Sequence, residues 1–185
     1  YKKKINGLLF TASGAQYSRV FTGDPDLPRV NIGDNQNTGI DFNATYHGTI
    51  GKDLKIDLTA IFTSYKNEIV SIPGANYFEP GALRNVVLQR HQEGRSYGEF
   101  FGYKVIGLFQ DADEVAKAPT QDGAEPGLFR YADINGDNKI NADDRTFIGN
   151  PNPDFTYGFN IALSYKNFDF SAFLSGSQGN DIFNQ

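Results

Sequence analysis

The chain has 185 residues, of which 39% are hydrophobic and 14% aromatic, and it contains neither cysteine nor tryptophan. Its formal net charge of −5 argues against a nucleic-acid-binding protein, because affinity for phosphates requires a basic surface. The lack of cysteine excludes disulfides, zinc sites with thiolate ligands and cysteine nucleophiles. Twenty glycines, eight prolines and many aromatic residues favour an all-β chain with long loops.

The sequence contains no apolar run of the roughly 18 residues that a transmembrane helix needs. The first residue is Tyr1 rather than Met, so we expect the chain to be a piece of a longer protein. The lack of a signal peptide therefore carries no information on export.

Apolar and polar residues alternate along 40–46 and, in the same phase, along 54–62. A short polar connection, 47–53, joins the two runs. Successive side chains of a β-strand point to opposite faces of the sheet, so the alternation predicts a hairpin with one apolar face.

The chain between the first hairpin and residue 155 has a different character. Residues 66–98 show no clean periodicity, and the aromatic, glycine-rich run 97–110 predicts an extended strand. Asp111 then has the N-cap position of a short helix, Glu114 has the capping-box position, and Pro119 ends the helix.

The loop 133–144, DINGDNKINADD, has the spacing of a calcium-binding EF-hand loop, and calcium is the one expected cofactor. An EF-hand loop takes its oxygen ligands from positions one, three, five, seven, nine and twelve. The residues at these positions, with only the backbone carbonyl required of the fourth, are Asp133, Asn135, Asp137, Lys139, Asn141 and Asp144.

Two departures from the EF-hand pattern leave an alternative open. Asn138 replaces the usual glycine at position six, although asparagine tolerates a positive φ better than most residues. Asp144 replaces the usual glutamate, as in the dockerin-type loops that this stretch resembles locally. The alternative is an Asx-rich hairpin turn at Asn135 and Gly136 that needs no ion.

A second alternating hairpin follows, with strands predicted at 155–165 and from 168 and a turn at 166–167. Ten tilted residues can cross a bilayer, with aromatic side chains at its interfaces, but a soluble β-sandwich with one buried face has the same alternation. The connections alternate between short turns and the long segments 10–37 and 110–154. This asymmetry is typical of outer-membrane barrels, and it favours one here.

Several stretches resemble SusC/RagA-like TonB-dependent outer-membrane receptors. They are ADINGDNKINADDRTFIGNPNPDFTYGFNIALSYKNFDFSAFLSGSQGNDIFN near the C-terminus, NIGDNQNTGIDFNATY, SYKNEIVSI and GYKVIGLFQDADEV. The pair GNPNPDFTYGFN and GSQGNDIFN is far more specific than any short motif. The resemblance implies an all-β fold of antiparallel hairpins from a large outer-membrane β-barrel, with long external loops and one short helix.

The resemblance also implies a domain organisation and a function. Residues 1–185 would belong to the barrel domain without its plug, and 97–154 would be an external loop region that includes the loop 133–144. Such receptors import oligosaccharides or peptides across the bacterial outer membrane with a SusD-like surface lipoprotein, driven by the TonB system through the missing N-terminal part. The six to eight strands expected here are too few to close a barrel, since a plugged transporter uses about 22.

The second hypothesis is a soluble, secreted, calcium-stabilised β-rich module that binds carbohydrate or protein. The sequence shows no catalytic constellation, so we predict that the protein is not an enzyme. The residues that contact the substrate cannot be assigned from the sequence. The aromatic residues between Tyr97 and Phe109 could stack on sugars, although packing is the better interpretation of their pattern.

Overall fold

The computed structural model describes residues 1–11, 29–74, 76–80, 82–83 and 86–184. In the described residues the chain folds mostly into antiparallel strands, with one short α-helix, α1 (Ala112–Lys117), and a 3-10 turn at Ala142–Asp144. The strands in chain order are β1 (Lys2–Thr11), β2 (Arg29–Ile50), β3 (Leu54–Ser71), β4 (Tyr77–Phe78), β5 (Ala82–Leu83), β6 (Val86–Val87), β7 (His91–Gln92), β8 (Phe100–Tyr103), β9 (Val105–Leu108), β10 (Phe129–Tyr131), β11 (Arg145–Gly149), β12 (Phe155–Tyr165) and β13 (Phe168–Gln178).

The main sheet has five strands in the order β1-β2-β3-β12-β13, all antiparallel to their neighbours. Leu54, at the start of β3, pairs with Tyr165, at the end of β12, so the turns 51–53 and 166–167 lie at the same end of the sheet along the strand direction. At the opposite end of the strands the chain leaves the sheet after Ser71 of β3 and re-enters it at Phe155 of β12. We call the intervening residues 72–154 the loop region. The predicted asymmetry of short and long connections is therefore confirmed between β3 and β12.

Strands β2 and β3 are longer than predicted, at 22 and 18 residues. β2 begins at Arg29, so the predicted long connection 10–37 is too long at its C-terminal end, and its part 12–28 lies outside the described residues. The predicted connection 47–53 shortens to a turn at 51–53, because His47 pairs with Asp57 inside the hairpin. The polar run 35–39 has no apolar face, and its strand conformation comes from pairing with β1 and β3.

The loop region carries most of the buried side chains in the described part of the chain. Its two larger strand pairs are β8 with β11 and β9 with β10. The single strand predicted over 97–110 is therefore wrong, because the ladder breaks at Lys104 and its two halves pair with different partners. Phe101 and Phe109 from this stretch are buried, which confirms packing as their role.

Arginine side chains stack on the aromatic rings at the centre of the loop region. The guanidinium of Arg90 lies 3.6 Å from the ring centroid of Phe101, and that of Arg145 lies 5.0 Å from it. The ring of Phe147 contacts Phe101 edge-on, with centroids 5.3 Å apart. Glu79 accepts two hydrogen bonds from Arg90, at 3.0 and 2.7 Å. Arg90 is therefore paired with Glu79, while Arg145 donates to the backbone carbonyl of Val87 at 2.9 Å. The cation–π contacts hold both guanidinium groups against the ring of Phe101.

Helix α1 begins where the sequence predicts. The Asp111 carboxylate accepts the N–H of Glu114 at 2.8 Å, which confirms the N-cap. The Glu114 carboxylate, however, accepts the N–H of Gln110, one residue before the cap, and it also pairs with Arg130 at 2.7 Å. The predicted capping box is thus displaced by one residue, because Glu114 also has to reach the neighbouring segment.

Backbone hydrogen bonds fix the loop region to the far end of β3. The N–H of Ile69 donates to the carbonyl of Arg95 at 2.9 Å, and the N–H of Gly94 donates to the carbonyl of Ile69 at 2.8 Å. Ile69 and Ile72 are buried beneath this contact. The loop region therefore packs on the C-terminal end of β3, at the end of the sheet opposite the tight turns.

Candidate functional site

One face of the main sheet is apolar across four neighbouring strands. The register places Leu58 opposite Ile161, and Ile161 opposite Ala172. These positions belong to one continuous set, which we call the apolar face. It comprises Ile40, Phe42, Ala44, Tyr46, Leu54, Ile56, Leu58, Ala60, Phe62, Tyr157, Phe159, Ile161, Leu163, Tyr165, Phe168, Phe170, Ala172 and Leu174.

The apolar face is open in the described part of the chain. The exposed fraction is 37% for Ile161, 39% for Leu58 and 58% for Phe170. No second sheet of comparable size covers it among the described residues. Contiguous apolar surface of this extent indicates contact with a membrane or another protein.

The opposite face of the same strands, which we call the polar face, carries mainly hydroxyl, amide and charged side chains. Its apolar residues include Ile61 and Phe173, which lie near Gly158. A Cβ at Gly158 would lie 3.7 Å from the ring of Phe173 and 3.9 Å from Ile61, so both side chains cover the gap left by the glycine. They therefore complete the sheet locally rather than form a second apolar surface.

Aromatic rings concentrate on the apolar face near the loop region. Phe62 stacks on Phe155 with centroids 5.5 Å apart, and Tyr157 lies 6.3 Å from both Phe155 and Phe159. Strands β12 and β13 have 11 residues each, the length that crosses a bilayer when tilted. An apolar band bordered by aromatic residues is the arrangement of a membrane-spanning strand. Among the described residues no helix is long and apolar enough to cross a membrane.

The six predicted calcium ligands all lie in the described loop 133–144. The Asp133 carboxylate accepts the N–H of Gly136 at 2.7 Å and the N–H of Asn138 at 2.8 Å. Gly136 and Asn138 both have positive φ, 77° and 61°, so Asn138 adopts the conformation expected at position six. Asp137 accepts the N–H of Lys139 at 2.8 Å. Hydrogen bonds from backbone N–H groups to these carboxylates thus hold the loop in its conformation. Among the described residues, no pair of strands flanks 135–136 to form the predicted hairpin.

Asp144 closes the loop from inside. It is fully buried and accepts the N–H of Asn141 at 2.8 Å and the N–H of Ile134 at 2.9 Å. The N–H of Asn141 lowers the pKa of Asp144 most, against the opposing effect of burial. Asn141 in turn accepts the N–H of Asp143, so the 3-10 turn is capped at both positions. Hydrogen bonds donated to the Asp144 carboxylate therefore join the two ends of the loop.

Calcium binding by this loop stays a prediction. Among the described residues no three His, Cys, Asp or Glu side chains are placed to hold a metal together. Carboxylate oxygens that each accept one N–H keep a second lone pair, and Lys139 would supply a backbone carbonyl. The residues present are thus compatible with an oxygen-ligated ion, while the loop geometry is already supported by Asp133 and Asp144.

We expect chelator-treated chain to bind calcium with millimolar or tighter affinity in a calorimetric titration. Asp133→Asn keeps one acceptor oxygen and removes the charge, so it should weaken binding at least tenfold. Asp143→Asn is the matched control, because Asp143 is exposed and is not one of the six predicted ligands. A titration without heat, or equal affinities for the two variants, would contradict the prediction.

His91 is the most buried titratable side chain of the loop region besides Asp144. It is 1% exposed, and its ring lies 4.5 Å from that of Phe78 and 4.1 Å from that of Tyr97. Burial lowers the pKa of His91 to about 4, since the charged imidazolium loses its hydration there.

This burial predicts a pH-dependent stability of the loop region. An unfolded histidine has a pKa of about 6.5, so between pH 6.5 and 4 the unfolded chain binds the proton and the folded chain does not. Stability should therefore fall as the pH drops through this window. Urea midpoints of wild type and His91→Gln should diverge, with the flatter profile in the variant; parallel profiles would show that His91 is not responsible.

Comparisons with known proteins bear on the membrane and partner interpretations of the apolar face. No protein-family model matches the chain. TonB-dependent receptor P3 of Formosa agariphila is 34% identical over 189 residues, covering 100% of this chain and 18% of the receptor. TonB-dependent receptor SusC of Bacteroides thetaiotaomicron is 29% identical over 161 residues, covering 83% of this chain and 15% of SusC. The predicted SusC/RagA-like resemblance is confirmed.

The chain thus spans less than a fifth of the length of these two receptors. A structure of the RagAB peptide transporter shares its fold, with a TM-score of 0.64 over 94% of this chain and 18% of that chain, at 19% identity. The predicted fold class, antiparallel hairpins from an outer-membrane barrel receptor, is confirmed.

Proposed function

We propose that the chain forms part of the barrel wall of an outer-membrane receptor that imports oligosaccharides or peptides. The observation that carries the proposal is the apolar face, continuous over four paired strands and open in the described residues. In water such a surface would favour aggregation, whereas in a bilayer lipid replaces water in contact with it. The receptor relatives support the same placement.

The short turns at one end of the strands and the long loop region at the other give the orientation of the chain in the membrane. Outer-membrane barrels have short turns on the periplasmic side and long loops outside. The turns 51–53 and 166–167 would then lie in the periplasm, and the loop region outside the cell. The segment 97–154, with its calcium-type loop, would be external, and the polar face would line the barrel interior.

The partners follow from the same proposal. A SusD-like surface lipoprotein would contact the loop region, where β9 exposes Val105, Ile106 and Leu108, and β10 exposes Phe129. The TonB system would supply energy through receptor parts outside this chain. The soluble calcium-stabilised module of the second hypothesis has no comparable support, because it would leave the apolar face in water.

Gene deletion tests the proposal in the cell of origin. Cells that lack the gene for this chain should lose uptake of labelled oligosaccharides or peptides, and the wild-type gene should restore it only when TonB is functional. The chain should fractionate with the outer membrane. Recovery of the chain in the soluble secreted fraction, with uptake unchanged, would overturn the proposal.

A further inference from the structure

A cavity of about 680 Å³ lies where β1, β2 and β3 meet the loop region. Its volume falls in the range of small-ligand sites. Amide and phenol side chains dominate its walls, and none of its described lining residues is acidic. The residues of interest are Asn35, Asn37, Asn67, Asn152, Tyr65 and Tyr97.

The register explains why these side chains converge. Asn37 pairs with Asn67, and Gly39 pairs with Tyr65, so the three larger side chains share the polar face of β2 and β3. A Cβ at Gly39 would lie 2.6 Å from the Cβ of Tyr65, so glycine there leaves room for the tyrosine. In the proposed orientation the cavity faces the interior of the barrel, near the external mouth of the barrel.

Asn67 fixes the hydrogen-bonding directions of its neighbours. Its amide nitrogen donates to the side-chain oxygens of Asn35 and Asn37, at 2.8 and 2.6 Å, and its oxygen accepts the N–H of Tyr97 at 2.7 Å. Asn35 is only 9% exposed, so its amide is held rigidly. Because the oxygens of Asn35 and Asn37 are engaged, their NH2 groups are the donors these contacts leave for a ligand.

The opposite wall supplies an acceptor and an aromatic ring. The Asn152 amide nitrogen donates to the Tyr97 carbonyl and to the Asn150 side chain, both at 2.9 Å, which leaves its oxygen as acceptor. Burial raises the pKa of Tyr97, so its phenol stays neutral. The cavity therefore combines two amide donors, an amide acceptor and three tyrosines, with Lys3 as the charged side chain at its rim.

We propose that this cavity binds a neutral oligosaccharide, which deepens the proposed function and rests on it. Sugar hydroxyls both donate and accept hydrogen bonds, so they match amide groups of both kinds. The C–H face of a sugar ring is apolar and packs on a tyrosine ring, while the phenol oxygen reaches the hydroxyl rim. A cationic peptide would lack a carboxylate partner here, and an anionic ligand would find little beyond Lys3.

Binding to neutral hexasaccharides tests the assignment. The chain in detergent micelles should bind maltohexaose, cellohexaose or mannohexaose in a calorimetric titration. Tyr65→Ala should weaken binding at least tenfold, whereas Tyr65→Phe, which keeps the ring, should stay within about threefold. Asn37→Ala removes one donor and should weaken binding about fivefold. Tyr46→Ala, on the apolar face, is the matched control and should bind like wild type.

The outcomes separate this site from the proposed function. Failure to bind all three hexasaccharides, wild-type affinity in Tyr65→Ala and Asn37→Ala, or tighter binding of hexaglycine would each overturn the oligosaccharide assignment. Insertion into lipid vesicles is measured on the same preparations. If the chain inserts into vesicles but binds no hexasaccharide, only the oligosaccharide site is refuted. If the chain binds a hexasaccharide but does not insert, the proposed function is refuted.

Discussion

Replacing Ile161 with arginine should lower the free energy of unfolding in a lipid bilayer by about 2–4 kcal/mol. Ile161 lies in the middle of β12 on the apolar face, between Leu58 of β3 and Ala172 of β13. In the proposed orientation a guanidinium there would face hydrocarbon near the bilayer midplane. In a soluble protein the same exposed position would tolerate arginine with little cost.

Asn160→Arg is the matched control, because Asn160 is the preceding residue and points to the polar face. There the guanidinium would remain in water, and the cost should stay within about 1 kcal/mol. Urea unfolding in lipid vesicles, followed by circular dichroism, measures both variants. Equal costs for the two would contradict the assignment of faces.

Replacing Phe101 with alanine should destabilise the loop region by about 3–5 kcal/mol. The ring is 5% exposed, packs edge-on against Phe147 and supports the guanidinium groups of Arg90 and Arg145. Its removal leaves a cavity and takes a shared aromatic contact from two half-buried cations. Arg90 would retain Glu79 and the ring of Tyr77, 4.1 Å from its guanidinium, but would lose the closer ring.

The effect should be confined to the loop region, because different contacts hold the main sheet. Hydrogen exchange should accelerate in 86–149 of Phe101→Ala while β12 and β13 keep their protection. Phe100→Ala is the control, since Phe100 is the neighbouring residue of the same type and is only half-buried. Equal acceleration in both variants would show that the arginine–aromatic stack does not organise this region.

The two hairpins of the main sheet could be predicted from the sequence because their alternation is local. The even-numbered apolar residues of 54–62 and the odd-numbered ones of 155–165 recur with period two, and their pairing places them on one face. The extension of β2 to Arg29 could not be predicted in this way. Residues 35–39 are polar on both faces, so only the neighbouring strands define them.

The loop region and the cavity depend on contacts between residues far apart in the chain. Asn152 and Asn37 line one cavity, which the stretches GNPNPDFTYGFN and NIGDNQNTGIDFNATY that contain them do not indicate. Arg90 and Phe147 are also far apart in the sequence, yet both contact the ring of Phe101. The calcium-type loop shows the opposite case, because its spacing predicted the positive φ of Asn138 from local chemistry alone. Single-sequence patterns therefore reach strands and turns, while the convergence of side chains requires the fold.

In the proposed orientation, the apolar face of the sheet contacts lipid and the polar face contacts water. The chain has no cysteine, so single spin-labelled cysteines can be placed along β12 from Tyr157 to Tyr165 without background. In lipid vesicles the odd positions should be most accessible to oxygen and the even positions to a water-soluble nickel chelate, with period two. High accessibility to the nickel chelate at both odd and even positions would contradict the claim.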